Sequence, residues 1–221
     1  MKKELNEYQT LIFDCDGVIL NSNKVKTEAF YNSVVSYGRD GAQALVNYHI
    51  EYGGVSRFKK FDYFFEHILG RKASELEFNA VLEKYAEEVR RGLLSCDIAE
   101  GLSELRELTT ESTWLVASGG AQEELRDIFD KRDLTKFFAG GIYGSPTAKD
   151  IIVEQQLLAD NIQLPALFIG DSRFDHIVAK QFDLDFLFVT DWSEFVSLSD
   201  YAESNKLLCL PNIKSLCRFN S

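Results

Sequence analysis

Cysteine and histidine are scarce in this sequence. Its 221 residues include four cysteines and three histidines. No two cysteines form a C-x-x-C pair, and the histidines are dispersed, at His49, His67 and His176. The sequence therefore indicates neither a zinc site nor a disulfide framework. We interpret the three histidines as structural or surface residues, and we expect a reduced, cytoplasmic setting.

Basic residues and long apolar runs are also limited. The 24 Lys and Arg residues are outnumbered by 35 Asp and Glu residues, which gives a formal net charge of −11. Such a balance disfavours non-specific binding to nucleic acid or to anionic membrane surfaces. We find no apolar segment of membrane-spanning length and no secretory signal pattern at the start of the sequence. We therefore expect no nucleic-acid partner and no membrane partner, while the oligomeric state stays open.

Short apolar runs alternate with helical patterns along most of the chain. The runs lie at 11–13, 113–120, 166–172 and 186–191, with a shorter strand or edge segment predicted at 137–144. Helical patterns follow at 123–131, 148–159 and 174–182, and the tail around 207–216 is ambiguous. Repeated strand–helix alternation predicts an α/β fold with a doubly wound, Rossmann-like parallel sheet.

The interval after the first strand breaks this alternation. Helical patterns at 23–37, 42–52, 57–69 and 74–94 succeed one another without a convincing strand, and Ser74 with Glu77 forms a possible capping box. A crossover between parallel strands normally needs one helix, not four. We predict a core formed by 1–22 and 98–221, with 23–97 as a small helical subdomain inserted after the first strand. The alternative is that these helices simply cover the sheet.

Polar residues follow the apolar runs at the points where strands end. Asp14 and Asp16 follow the first run, Ser118 and Gly119 close the second, and Asp171 follows a later one. Because the carboxyl ends of parallel strands meet at one edge of a sheet, we expect these groups to converge. Two crowded carboxylates would repel each other unless a cation or a proton intervened. Carboxylate oxygens are the ligands that Mg²⁺ prefers.

These residues also resemble the four motifs of a known family. D-C-D-G-V at 14–18, Ser118, Lys149 and G-D-S-R-F-D at 170–175 are similar, in order and spacing, to the motifs of the haloacid dehalogenase-like hydrolases. The helical insertion resembles the α-helical cap of the phosphoglycolate phosphatase and β-phosphoglucomutase branch. In many relatives a Pro directly follows the motif lysine, whereas here Pro146 precedes Lys149.

The resemblance implies a role for each motif residue. Asp14 would attack phosphorus and form an aspartyl-phosphate, and Asp16 would act as the acid–base group. The phosphoryl oxygens would be held by a set of side chains and loop N–H groups, namely Ser118, Gly119, Lys149 and Gly17. Mg²⁺ would be bound by Asp14, the backbone carbonyl of Asp16 and Asp171, with Asp175 supporting the metal site directly, through water or through Lys149.

Several of these residues have a plainer interpretation. Ser118 could be an ordinary turn residue, Lys149 a surface lysine, and Asp175 a charge favoured by the dipole at a helix start. In the insertion, G-G-V-S-R at 53–57 resembles a cap loop whose arginine contacts a second anionic or polar part of the substrate. Arg57 is therefore the cap candidate, although a solvated arginine at a helix start is an equally good interpretation.

The predicted function is that of a Mg²⁺-dependent phosphatase acting on a small phosphorylated metabolite, with a sugar phosphate as one candidate. A phosphosugar mutase of the β-phosphoglucomutase type would share all four motifs. Lys26 weakens that alternative, because the mutases place a histidine at about this point of the first cap helix. A third alternative is a binding or regulatory module that kept the fold and lost turnover. Such a protein would normally lack one of the motif residues Asp14, Asp16, Lys149 or Asp171, and all four are present.

Overall fold

The computed structural model describes residues 3–219. Within them, six strands form one sheet: β1 Thr10–Phe13, β2 Thr113–Ala121, β3 Ile142–Ser145, β4 Ala166–Gly170, β5 Asp185–Val189 and β6 Leu208–Leu210. The strand order is β3-β2-β1-β4-β5-β6 and every pairing is parallel. All residues of β1 and β4 are buried, which explains why these strands are apolar throughout rather than alternating. The predicted Rossmann-like fold is confirmed.

Ten α-helices accompany the sheet in the described residues: α1 Asn23–Val34, α2 Arg39–Glu51, α3 Arg57–Tyr63, α4 Glu75–Ser95, α5 Leu102–Leu108, α6 Gln122–Lys131, α7 Lys149–Leu158, α8 Arg173–Gln181, α9 Leu198–Asn205 and α10 Ile213–Phe219. Two hydrophobic clusters show that helices cover both faces of the sheet. Residues of α5, α6 and α10 pack in one cluster with Leu11 and Phe13, whereas residues of α7 and α8 pack in the other with Ile12. This arrangement is a doubly wound sheet.

Most predicted elements agree with the structure. The helix predicted at 23–37 ends as an α-helix at Val34 and continues as a 3₁₀ turn, Val35–Tyr37. The strand expected at 137–144 is limited to β3, because Thr135–Phe137 forms a 3₁₀ turn and Gly141 has a φ of 101°. After α3 the chain continues as a π-helical turn, Phe64–Ile68. The ambiguous tail contains β6 between α9 and α10. The capping box of Ser74 and Glu77 starts α4 as predicted.

Helices α1 to α4, which we call the inserted helices, lie between β1 and α5 in the chain and pack on one another. Gly92 of α4 lies against α1 so closely that a Cβ there would come within 2.2 Å of Val25 Cγ1. Aromatic side chains fill the space between the inserted helices, with Phe30, Phe61 and Tyr85 in mutual ring contact. Phe61, Phe64 and Phe65 are buried in this apolar core, whereas Phe58 is only partly buried.

The two ends of the insertion run side by side. The Asn21 N–H donates to the Asp97 carbonyl at 2.9 Å, and the Ala99 N–H donates to the Ile19 carbonyl at 2.9 Å. Leu20 also forms an antiparallel bridge with Ile98. The inserted helices are therefore joined to the sheet through two adjacent segments. Across residues 3–219, we find no helix with the length and apolar character needed to cross a membrane.

Candidate active site

The strand order reverses between β1 and β4, which are neighbours in the sheet although most of the chain separates them. Asp14 follows β1 directly, and its N–H donates to the Ile169 carbonyl of β4 at 2.9 Å. Asp171 follows β4 directly, and both aspartates are buried. A reversal of strand order opens a crevice at the carboxyl ends of the strands, where ligands of such sheets bind. The first and fourth predicted motifs therefore meet at this crevice.

Three buried carboxylates meet there. One oxygen from each of Asp14, Asp171 and Asp175 lies within 4.8 Å of the others. Burial raises the pKa of Asp14 to about 7, against the effect of Lys149. Burial, together with the charges of Asp14 and Asp175, raises the pKa of Asp171 well above its usual range. Crowded carboxylate oxygens with this excess of negative charge fit a hard divalent cation.

Lys149 connects two members of this cluster. Its Nζ lies 3.0 Å from Asp14 Oδ2 and 2.5 Å from Asp175 Oδ1, with all three side chains almost fully buried. The second oxygen of Asp175 accepts hydrogen bonds from the Ser172 N–H at 3.1 Å and the Ser172 hydroxyl at 2.7 Å. Asp175 thus closes the capping box that starts α8 and fixes the lysine at the same time. Lys149 is not a surface lysine.

Gly17 lets the loop after β1 pass close to Asp171. Its φ is +74°, and a Cβ built there would come within 2.0 Å of Asp171 Oδ2 and 2.4 Å of Asn23 Nδ2. A side chain at this position would therefore combine backbone strain with a severe clash. Asn23 Nδ2 donates to the same Asp171 oxygen at 2.7 Å. Gly17 and Asn23 together define where the Asp171 carboxylate lies.

The carboxylate of Asp16 lies outside the three-acid cluster. The Ser22 hydroxyl donates to Asp16 Oδ1 at 2.6 Å, and Lys26 of α1 forms an ion pair with Oδ2. Burial alone would raise the pKa of Asp16, but these two contacts outweigh it and the pKa is lowered. The two aspartates of the first motif therefore have separate surroundings, with Asp14 beside Lys149 and Asp16 beside the inserted helices.

The second motif lies at the end of β2. Ser118 is fully buried, and its Oγ accepts a hydrogen bond from the Gly120 N–H at 3.0 Å. A Cβ at Gly119 would come within 2.4 Å of the Gly54 carbonyl oxygen. Gly119 therefore permits the turn before α3 to approach the strand end. This contact closes the site on the side of β2.

A small cavity of about 60 Å³ lies between the strand ends and the inserted helices. Asp14, Asp16, Gly119 and Asp171 line it from the sheet, whereas Lys26, His49, Arg57, Lys60 and Tyr85 line it from the inserted helices. The inserted helices therefore close over the predicted catalytic residues in this conformation.

The structure gives Arg57 a protein partner. Its Nη2 lies 2.5 Å from Glu124 Oε1 on α6, and Nη1 lies 3.4 Å from Oε2. The guanidinium carbon also lies 4.6 Å from the ring centre of Tyr85. Arg57 is buried and lines the cavity, so the interpretation as a solvated residue is wrong. Its predicted contact with substrate stays a prediction.

Lys60 and His49 are among the cavity residues that were not identified from the sequence. Both are buried, and Lys60 Nζ lies 2.6 Å from His49 Nδ1. Lys60 follows Arg57 by three positions on α3, so the two share a helix face. That spacing was a usable signal for Lys60. His49 had no comparable signal, and its interpretation as a structural or surface residue missed its place at the cavity.

Comparison with known proteins agrees with this geometry. The family model for haloacid dehalogenase-like hydrolases matches residues 11–189. A comparison with curated proteins finds no match. Solved structures of the same fold align with nearly the whole chain. Their sequence identities to this chain are low, so this likeness shows only the fold.

Three of these structures illustrate the range of neighbours. A protein from Clostridium acetobutylicum, described as a predicted phosphatase, is 17% identical with a TM-score of 0.73, covering 96% of this chain and 97% of its own. CbbY from Rhodobacter sphaeroides, in complex with phosphate, is 15% identical with a TM-score of 0.67, covering 95% and 96%. A protein from Bacteroides vulgatus, provisionally described as a beta-phosphoglucomutase, is 16% identical with a TM-score of 0.71, covering 96% and 87%.

The match over residues 11–189 includes all four motifs, and the fold carries them to one crevice between β1 and β4. The chain belongs to the haloacid dehalogenase-like hydrolase family.

Proposed function

We propose that the protein is a Mg²⁺-dependent phosphatase that hydrolyses a small phosphorylated metabolite through an aspartyl-phosphate on Asp14. The observation that carries this proposal is the separate placement of the two aspartates of the first motif. Asp14 lies against Lys149 and in the three-acid cluster, while Asp16 lines the cavity beside Lys26. One carboxylate is thus available as a nucleophile and the other as an acid–base group.

The three-acid cluster supports a bound divalent cation. Asp14 and Asp171 would hold Mg²⁺ together with the backbone carbonyl of Asp16, since oxygen ligands and few protein carboxylates suit this ion. Asp175 would support the site through Lys149, because both of its oxygens are engaged by Lys149 and Ser172. When bound, the cation would neutralise negative charge on the phosphoryl group.

The chain's own residues account for both halves of the reaction. Asp14 forms a bond to phosphorus while the bond from phosphorus to the ester oxygen breaks. Asp16, which would take up a proton once Lys26 moves away with the inserted helices, gives that proton to the departing alkoxide. Asp16, now ionised, takes a proton from a water molecule that attacks the aspartyl-phosphate. Cleavage of the bond between phosphorus and Asp14 releases inorganic phosphate and restores the carboxylate.

The phosphoryl oxygens would be held by residues that surround Asp14. Lys149 carries a positive charge next to the nucleophile. Burial lowers the pKa of Lys149, but the charges of Asp14 and Asp175 outweigh this effect and raise it, so the side chain stays cationic. The Ser118 hydroxyl and the backbone N–H groups near Gly119 and Gly17 would donate the remaining hydrogen bonds. Such fixed donors stabilise negative charge without reorganisation during the reaction.

Residues 23–97 would act as a cap on a core formed by 1–22 and 98–221. The cavity that holds Asp14 and Asp16 is lined by the inserted helices as well as by the strand ends. Movement of the inserted helices away from the strand ends would therefore widen the entry for substrate. Closure would then exclude bulk water and complete the site.

A phosphosugar mutase would use the same strand-end residues, and the Bacteroides vulgatus protein is a fold neighbour with that provisional description. A mutase returns the phosphoryl group to a sugar, whereas a phosphatase gives it to water. The ion pair between Lys26 and Asp16 supports the phosphatase, because the mutases carry a histidine at about this point of the cap. Product analysis decides between the two.

The test is a phosphatase assay on the purified full-length chain with Mg²⁺. An aryl phosphate and a panel of phosphorylated metabolites that includes sugar phosphates are the substrates, and released phosphate is measured. Wild type should hydrolyse members of the panel, and Asp14→Asn should abolish the activity. Asp130→Asn, a matched change on an exposed residue of α6, should leave it unchanged. Equal behaviour of wild type and Asp14→Asn would overturn the mechanism.

A mutase would interconvert sugar phosphates and depend on a bisphosphate primer. Formation of an isomeric sugar phosphate without release of inorganic phosphate would therefore replace the phosphatase proposal. The absence of any turnover by wild type across the panel and in mutase assays would support a binding or regulatory module instead.

A further inference from the structure

Two members of the three-acid cluster have a protein donor on each of their oxygens. In Asp14, the Cys15 N–H donates to Oδ1 at 2.6 Å, and Lys149 lies 3.0 Å from Oδ2. In Asp175, Lys149 lies 2.5 Å from Oδ1, and the Ser172 hydroxyl donates to Oδ2 at 2.7 Å. Neither carboxylate can therefore turn both oxygens to a cation without losing a contact to the protein.

Asp171 has a donor on only one of its two oxygens. Asn23 Nδ2 donates to Oδ2 at 2.7 Å. The loop at Gly17 packs against the same oxygen, because a Cβ added to Gly17 would lie 2.0 Å from it. Within residues 3–219, no donor contacts Asp171 Oδ1. Asp171 therefore offers a cation one oxygen, Oδ1, while Oδ2 is bound by the protein.

The amide of Asn23 is held in place by the residues that follow β5. The same Nδ2 donates to the Trp192 carbonyl at 2.7 Å, so one nitrogen serves two acceptors. Among uncharged side chains, only Asn and Gln carry two N–H donors on one nitrogen. The next residue, Ser193, donates its hydroxyl to the backbone carbonyl of Asp171 at 2.5 Å. Asn23 and Asp171 are thus both fixed to one segment, and the Asp171 carboxylate is held in one orientation.

The number of oxygens that a carboxylate offers discriminates between divalent cations. Ca²⁺ takes more oxygen ligands than Mg²⁺, in flexible geometry, and often binds both oxygens of one carboxylate. Mg²⁺ demands near-octahedral geometry, keeps several of its waters and is bound by few carboxylates. A site in which each carboxylate has at most one oxygen without a donor therefore suits Mg²⁺ better than Ca²⁺.

We propose that Asn23 makes Asp171 a one-oxygen ligand and thereby selects Mg²⁺ over Ca²⁺ at the predicted metal site. This inference rests on the cation of the proposed function and adds the residue that determines which cation is bound. Asn23 acts through Asp171 and is a positioning residue. Without its amide, Oδ2 would lose its donor, and the Asp171 carboxylate could bind Ca²⁺ through both oxygens.

Calorimetric titration of the full chain with MgCl₂ and, separately, with CaCl₂ tests this inference. The readout is the ratio of the two dissociation constants, which a general loss of stability would not change. Wild type should bind Mg²⁺ more tightly than Ca²⁺. Asn23→Ala should reduce this preference by about tenfold or more, since residues that hold a metal ligand in place typically change metal affinity by roughly 10–100-fold. Asn23→Leu, which keeps the bulk of the side chain without its donors, should behave like Asn23→Ala.

Asn32→Ala is the matched control. Asn32 also belongs to α1, and its Nδ2 donates to a carboxylate oxygen, Glu88 Oε2 of α4, at 3.0 Å. Its loss should leave the ratio of the wild type. Circular dichroism and thermal unfolding in EDTA establish that each variant is folded. An unchanged ratio in the folded Asn23 variants, an equal change in Asn32→Ala, or tighter binding of Ca²⁺ than of Mg²⁺ by wild type would overturn the inference.

Neither titration involves turnover, so this inference and the proposed function can fail separately. If wild type hydrolyses no ester but the ratio depends on Asn23, the phosphatase proposal fails while the role of Asn23 stands. If esters are hydrolysed and the ratio does not depend on Asn23, the reverse holds. Binding of neither cation to wild type would overturn the inference whatever the phosphatase assay gives.

Discussion

Arg57 of α3 and Glu124 of α6 form a two-point ion pair between the inserted helices and the helical layer of the sheet. The shorter contact joins Nη2 to Oε1 at 2.5 Å, and the side chains are 5% and 13% exposed. Arg57 Nε is buried and has no hydrogen-bond partner among the described residues. Glu124 therefore supplies the counter-charge and the hydrogen bonds of this buried guanidinium.

Glu124→Gln should destabilise the protein by about 3 kcal/mol, because loss of one charge leaves Arg57 buried without a counter-ion. The free energy of unfolding in urea measures this. Glu123→Gln is the control: its ion pair with Arg126 is on the surface, and such changes usually stay within about 0.5 kcal/mol. Equal effects of the two variants would show that the buried ion pair does not hold the inserted helices in place.

Gly17→Ala should reduce phosphatase activity by roughly 100-fold or more, since small displacements of catalytic groups have effects of this size. The new Cβ would displace the Asp171 carboxylate. Gly70→Ala is the matched control, because Gly70 also has a positive φ, +68°, but a Cβ added there would have no atom within 4 Å. Similar activity losses in both variants would attribute the effect to backbone strain rather than to Asp171.

The three-acid cluster predicts how stability depends on pH without divalent cations. The pKa of Asp14 is about 7 in the folded protein and 3.8 in its ordinary state. Between these values the folded state binds more protons, so wild-type stability should fall as the pH rises from about 4 to 7. Asp14→Asn should remove part of this slope in urea unfolding measured with EDTA.

Mg²⁺ should stabilise the folded protein at neutral pH, where the three carboxylates otherwise reduce stability. At a hundredfold excess over its Kd, the free energy of unfolding should rise by about 2.7 kcal/mol. Asp171→Asn should lose most of this stabilisation. Thermal unfolding with and without Mg²⁺ measures it independently of turnover. A Mg²⁺ response that survives in Asp171→Asn would place the ion elsewhere.

Lys60 gives the opposite dependence on pH. Burial, together with Lys26, lowers its pKa from 10.5 to about 7. The unfolded state then binds more protons between these values, so the penalty for burying the Lys60 cation is complete below pH 7 and declines toward pH 10. Lys60→Met should raise the free energy of unfolding by about 1–4 kcal/mol at pH 6.5, and by clearly less at pH 9.5. Lys59→Met, on the exposed neighbour of Lys60 in α3, should show no such change with pH.

The strand-end residues could be predicted because their signals are local. The apolar run before Asp14 and the run before Asp171 each define a buried strand, and parallel strands bring their ends together in any doubly wound sheet. The start of α4 could also be predicted, since Ser74 and Glu77 are three positions apart. Such features depend on neighbouring residues in the chain, which the sequence shows directly.

The residues of the inserted helices could not be predicted in the same way. Whether Lys26 reaches Asp16, or Lys60 reaches His49, depends on the rotation and tilt of each helix over the strand ends. Those angles follow from tight packing, such as Gly92 against Val25, which no short pattern encodes. The strand β6 escaped prediction for a different reason, because three residues are too few to show a period.

The adjacent linkers of the inserted helices have a consequence for how such a protein can diversify. The chain leaves the sheet near Asn21 and returns at Asp97, and a hydrogen bond of 2.9 Å joins the two points. An insertion of any size whose ends meet at that distance could be exchanged for this one without moving Asp14 or Asp171. Under the proposed function, phosphoryl chemistry and substrate choice would thus be carried by separable, modular parts of one chain.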